Sequence, residues 1–186
     1  MMLRGFLRWF LYAAVLLLFY LWECNPIIRG FCPLLIIPLA TAVAIHEGDL
    51  AAGIFGTFCG LMLDIANGVT VVGFSALWLL CACPFISLLA RFWIKGTFFS
   101  HFIMNAAVTV VMAAMDTVFL HWIWERGESM ITFTQVILPS YGGAIVFSIP
   151  VWLLVKLIVD KLRPKEQRRL EESAQSAEEM EIREKE

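Results

Sequence analysis

Six apolar stretches take up most of positions 5–159, and they limit what this chain can fold into more than any other feature. They run from Gly5 to Trp22, Ile27 to Ile45, Leu50 to Ala66, Val69 to Ala90, Thr97 to Trp124 and Val136 to Val159. A helix needs about 20 largely apolar residues to cross the hydrocarbon core, and about 17 suffice; each stretch is long enough. Charge placement agrees. Thirteen charged side chains crowd into the last 23 residues, which leaves only 17 for positions 1–163. With 60% hydrophobic residues overall, such a body cannot offer water a polar surface. A soluble enzyme is excluded, and a net charge of -2 lacks the basic footprint of a nucleic-acid binder. The expected fold class is all-α, a polytopic membrane protein with six transmembrane helices over residues 1–163. A charged cytoplasmic tail follows over 164–186.

Orientation follows from the basic residues, which favour the cytoplasmic side. Six spans with an inside N-terminus place twelve Lys and Arg inside, from Arg4 and Arg8 to the tail, and only Arg29 and Arg126 outside. Both termini are therefore expected in the cytoplasm. The first stretch begins like a secretory signal, but the Trp22-Glu23-Cys24-Asn25-Pro26 run after it has no small-x-small cleavage pattern, so it is expected to remain as a signal anchor. The second stretch is the weakest span, since it carries Arg29, Pro33 and Pro38. Cys24 and Cys32 flank an external loop and are spaced for either a disulfide or two free thiols. His121 joins Trp122 and Trp124 in an expected aromatic belt.

Candidate functional residues fall on two helices. In the third span, Gly53, Gly56 and Gly60 form a flattened face with a GxxxG step, which lets another backbone approach closely. Its partner is either a neighbouring helix of the same chain or a helix of another protein. Asp64 follows near the end of that span, either as a functional intramembrane carboxylate or as a cap for the following turn. In the fifth span His101, Asn105, Thr109, Met112 and Asp116 recur at steps of four, four, three and four, which keeps them on one face. That seam is either a structural hydrogen-bonding stripe or a proton relay, and the long separation of His101 and Asp116 favours the stripe. His46-Glu47-Gly48-Asp49 is expected to be a helix stop, with Asp49 capping the third span. Metal-ligand spacing, phosphate loops and nucleophile motifs are missing from the sequence, so no catalytic, cofactor or metal site is expected.

The order Pro33-Leu34-Leu35-Ile36-Ile37-Pro38, His46-Glu47-Gly48, Gly56-Thr57-Phe58-Cys59-Gly60-Leu61-Met62-Leu63-Asp64, Gly73-Phe74, Leu138-Pro139-Ser140 and Pro150 resembles the MreD family of bacterial rod-shape-determining membrane proteins, clostridial-type members above all. The resemblance covers about residues 4–163. It implies a six-span bundle similar to the small S-component fold and a non-catalytic scaffold of the cell-wall elongation machinery in the plasma membrane, with no cofactor. The implied partners are an MreC-like protein and, through it, MreB, RodA and a transpeptidase. Gly53, Gly56, Gly60, Asp64, His101, Asn105 and Asp116 are then the candidate partner-interface residues. The alternative is the substrate-binding S-component of an energy-coupling-factor vitamin transporter. Such components usually carry an Ala-x-x-x-Ala pattern on the first helix, whereas here Ala13 and Ala14 are adjacent, with Leu17 and Leu18 four residues on.

Overall fold

The helices of this chain stop where the sequence removes a backbone donor or a side chain supplies a cap. A computed structural model describes residues 2–25, 33–67, 73–92, 98–118 and 138–162. Seven helices fill these segments: α1 (Met2–Glu23), α2 (Ile36–His46), α3 (Asp49–Asn67), α4 (Phe74–Phe92), α5 (Phe98–Thr117), α6 (Leu138–Val146) and α7 (Ser148–Leu162). α1, α3, α4 and α5 are each long and apolar enough to cross a membrane, and the bent pair α6–α7 gives a fifth crossing if counted as one span. This is a helical, multi-pass membrane protein.

The second apolar stretch does not become a spanning helix among the described residues. Of its described residues Ile36–His46 are helical, about 16 Å at 1.5 Å per residue, half of a hydrocarbon core about 30 Å thick. Pro38 falls in the first turn, where its missing N–H is not needed by the helix. Leu35, at the cap position, makes no side-chain cap bond; Glu23 at the end of α1 supplies the acceptor instead, taking the Ile36 N–H at 3.3 Å. Nine consecutive residues, Ile36 to Ala44, are buried. A helix that is apolar all round belongs in the middle of a bundle, and α2 packs against every one of the other six helices.

The last span breaks for a related reason. α6 and α7 meet at 42°. Pro150, in the first turn of α7, cannot donate to the Val146 carbonyl, and the Ser148 hydroxyl binds back to the Ile145 carbonyl at 2.7 Å, both recognised causes of kinks. Among the described residues the six expected spans are represented by four long helices, one bent pair and one short central helix.

The α3–α4 hairpin is the most closely packed part. A Cβ added at Gly60 would sit 2.5 Å from the Ala76 amide nitrogen and from the Ser75 carbonyl oxygen. One at Gly56 would lie 2.6 Å from Cys83 Sγ and 2.8 Å from the Leu79 carbonyl oxygen, and one at Gly53 3.0 Å from Pro84 Cγ. The glycine face is therefore filled by α4 of the same chain. α1 is peripheral: it buries Tyr12, Leu16 and Glu23 and turns Phe6, Phe10, Leu17, Leu18 and Leu21 outward.

Candidate functional site

The polar side chains of α5 converge on the short central helix. His101, Asn105 and Thr109 are fully buried, as is Thr41 of α2. The Thr41 hydroxyl lies 3.1 Å from the Pro38 carbonyl, 3.2 Å from Asn105 Oδ1 and 3.3 Å from His101 Nε2. Its single proton goes to one of the two oxygens, while its lone pairs accept from His101 Nε2–H in the tautomer that carries the proton there. Asn105 then donates from Nδ2 to the Ala144 carbonyl of α6 at 3.4 Å. Two side chains thus tie α2, α5 and α6 together at a depth where water offers no alternative partner.

The far end of the same face is bound separately. Asp116 accepts the Tyr141 hydroxyl of α6. His101 and Asp116 are about 22 Å apart along the helix, and among the described residues no hydrogen bond connects them. Between them Met112 carries no transferable proton, and Thr109 Oγ1 is buried without a hydrogen-bond partner among the described residues. The face is two separate interhelical clasps, not a continuous relay.

Asp64 extends the glycine stripe by four residues and serves as a cap. Its Oδ2 accepts the Gly73 N–H at 2.7 Å and its Oδ1 the Ser75 N–H at 3.2 Å, so a carboxylate sits at the N-terminus of α4, where the helix dipole favours negative charge. Gly73 has φ +110°, a conformation that side chains with a Cβ rarely adopt. The α3 stripe 53, 56, 60 and 64 is therefore one device that closes the hairpin: three contacts without side chains, then a cap.

All seven residues expected at a partner interface are thus turned into the chain's own bundle. Gly53, Gly56, Gly60 and Asp64 meet α4; His101 and Asn105 meet α2 and α6; Asp116 meets α6. At Gly56 and Gly60 the contact is steric: atoms of α4 stand within 3 Å of where a Cβ would be.

A second polar cluster, not foreseen from the sequence, holds the other end of α1. Arg8 Nη2 donates to Glu47 Oε2 at 3.0 Å, and Tyr12 donates to Glu47 Oε1 at 3.2 Å. Ser87 of α4 lies 2.7 Å from Asp49 Oδ1 and 3.0 Å from the Glu47 carbonyl. Asp49, expected as the cap of the third span, is instead the first residue of α3, and its carboxylate accepts from Ser87 of another helix. The available signal was Arg8 and Tyr12 four residues apart inside an apolar run, two groups on one face of the first helix. Tyr12 and Glu23 are eleven residues apart, as are Ile36 and Glu47, so α1 runs antiparallel to α2 and is clasped at both ends.

No family model, curated protein or solved structure matches the chain. Cys24 is exposed and unbridged, while Cys32, Arg29, His121, Trp122, Trp124, Arg126 and the tail 164–186 lie outside the described residues.

Proposed function

We propose that the protein is a non-catalytic membrane scaffold of the bacterial cell-wall elongation machinery, a role implied by its resemblance to the MreD family. It holds an MreC-like protein and, through it, MreB, RodA and a transpeptidase. Crossing count and orientation belong to the same proposal: six crossings with both termini cytoplasmic agree with twelve basic residues on one side against two on the other. The observation that carries the reading is that the polar side chains inside the bundle, Thr41, Asn105, Asp64 and Asp116, bond to other helices of the same chain. Such bonding stiffens a platform and leaves the outward flanks, rich in Phe and Leu on α1, to meet partner helices by packing. Depletion in the rod-shaped host is the test. Cells are expected to widen and round; rods that persist after complete depletion refute the proposal.

One observation favours the vitamin-transporter alternative. Glu23, only 7% exposed, keeps Oε2 without a hydrogen-bond partner among the described residues beside the start of α2, and a buried ionisable group in a membrane helix is a candidate for binding a polar substrate group. A vitamin panel in a thermal-shift assay decides it, since one saturable hit reverses the order of the two readings.

A further inference from the structure

α7 carries a cation on the flank it turns outward. Ile149, Leu153 and Leu157 are exposed there, and Lys156 and Asp160 are exposed with them. Steps of four, three and four keep 149, 153, 156 and 160 on one side of the helix. Lys156 Nζ stands 4.7 Å from the centre of the Trp152 ring. Trp152 lies one turn from Lys156 toward the bend with α6, and Asp160 one turn toward the polar end of α7, about 6 Å each way. The ammonium thus leans on an aromatic face and away from the neighbouring carboxylate. Among the described residues Lys156 makes no ion pair.

A cation on an apolar membrane flank needs an anion, and charge and shape say which kind meets it here. Asp160 and Lys161, adjacent in the last turn, cancel each other, so Lys156 leaves this flank with an unbalanced positive charge. The flank is made of large side chains and lacks the small residues that let a second helix come close. An acyl chain, by contrast, follows the relief of Ile149, Leu153 and Leu157. Asp160 and Lys161 mark the level at which α7 enters the polar boundary. Lys156 lies one turn below it, a distance that a lysine stem and a lipid headgroup span between them.

We infer that this flank of α7 is a binding site for an anionic glycerolipid. The Lys156 ammonium, backed by the Trp152 ring, takes the headgroup phosphate, and an acyl chain lies along Ile149, Leu153 and Leu157. The site is independent of the scaffold proposal.

Native mass spectrometry of the full chain in a neutral detergent tests this with phosphatidylglycerol and phosphatidylcholine of the same chain length. The wild-type protein is expected to retain phosphatidylglycerol in preference. Lys156→Gln should lose about fivefold of that preference, the effect of one basic residue at an anionic surface, with circular dichroism confirming that it folds. Lys156→Arg keeps the charge and should keep the preference. Lys161→Gln removes a charge of the same sign five residues on, and should change the preference by less than about twofold, since Asp160 already offsets Lys161. A preference that survives Lys156→Gln overturns the inference. Equal losses from Lys156→Gln and Lys161→Gln also overturn it, because overall charge then explains the preference. If Lys156→Gln removes a dimer mass and leaves the lipid preference intact, the cation meets a second copy of the chain, and the lipid assignment falls.

Discussion

Gly60→Ala adds one methyl group where the backbone of α4 already stands. The new Cβ would lie 2.5 Å from the Ala76 nitrogen and the Ser75 oxygen, against an ordinary contact distance of about 3.5 Å. Neither atom can rotate away, so α3 and α4 must separate by about 1 Å. A gap of that size forfeits about a quarter to a half of each remaining dispersion contact, and in a bilayer no hydrophobic effect between helices compensates. Overpacking of this kind costs about 1–3 kcal/mol, with backbone atoms on the receiving side at the upper end. For a chain of this size that lowers Tm by about 2–12 °C.

The series of alanines sharpens the test. At Gly56 one of the two close atoms is the Cys83 sulfur, which can turn, and at Gly53 the contact is only a 3.0 Å approach to a proline ring carbon. Gly5 has nothing within 4 Å, and there alanine should stabilise α1 by up to about 1 kcal/mol through helix propensity. Thermal unfolding in detergent, followed by circular dichroism, should rank the losses Gly60→Ala, then Gly56→Ala, then Gly53→Ala, with Gly5→Ala neutral or better. A Gly60→Ala protein as stable as wild type, or no gradation along the stripe, refutes the close-packed hairpin.

Three further outcomes follow from the polar clasps. Asp64→Ala should destabilise by about 1–2 kcal/mol as a lost cap, and Asp64→Asn should recover part of that because one acceptor oxygen remains; equal losses in thermal unfolding count against the cap. Thr41→Val and Asn105→Leu should each cost about 0.6–1.7 kcal/mol, the range of interhelical hydrogen bonds in bilayers. Their double variant should cost less than the sum, and strict additivity in the cycle excludes the shared bond. Arg8→Met alone, which removes the cation paired with the Glu47 carboxylate, should be more damaging than Arg8→Met combined with Glu47→Met; the reverse order of unfolding temperatures removes the ion pair from any structural role.

Much of the architecture was legible in the residues alone because lipid imposes one rule on every segment: backbone groups must be bonded internally, and that makes helices of apolar runs. The spans of α1, α3, α4 and α5, the small-residue face at Gly53, Gly56 and Gly60, and the common face of His101, Asn105 and Asp116 all follow from composition and period. Which surfaces those faces meet does not follow. A glycine stripe looks the same whether α4 or a foreign helix fills it, and only the hairpin geometry makes Gly60 touch Ala76. Thr41 is a single hydroxyl in an apolar run, and its importance arises from α2 standing at the centre of the bundle. Arg8 and Glu47 are 39 positions apart and become one ion pair only when α1 and α2 pair antiparallel. The apolar pattern thus determined that the chain enters a membrane as helices, whereas tertiary packing decided that its polar residues turn toward one another, since a buried donor or acceptor finds its partner through space and not along the chain.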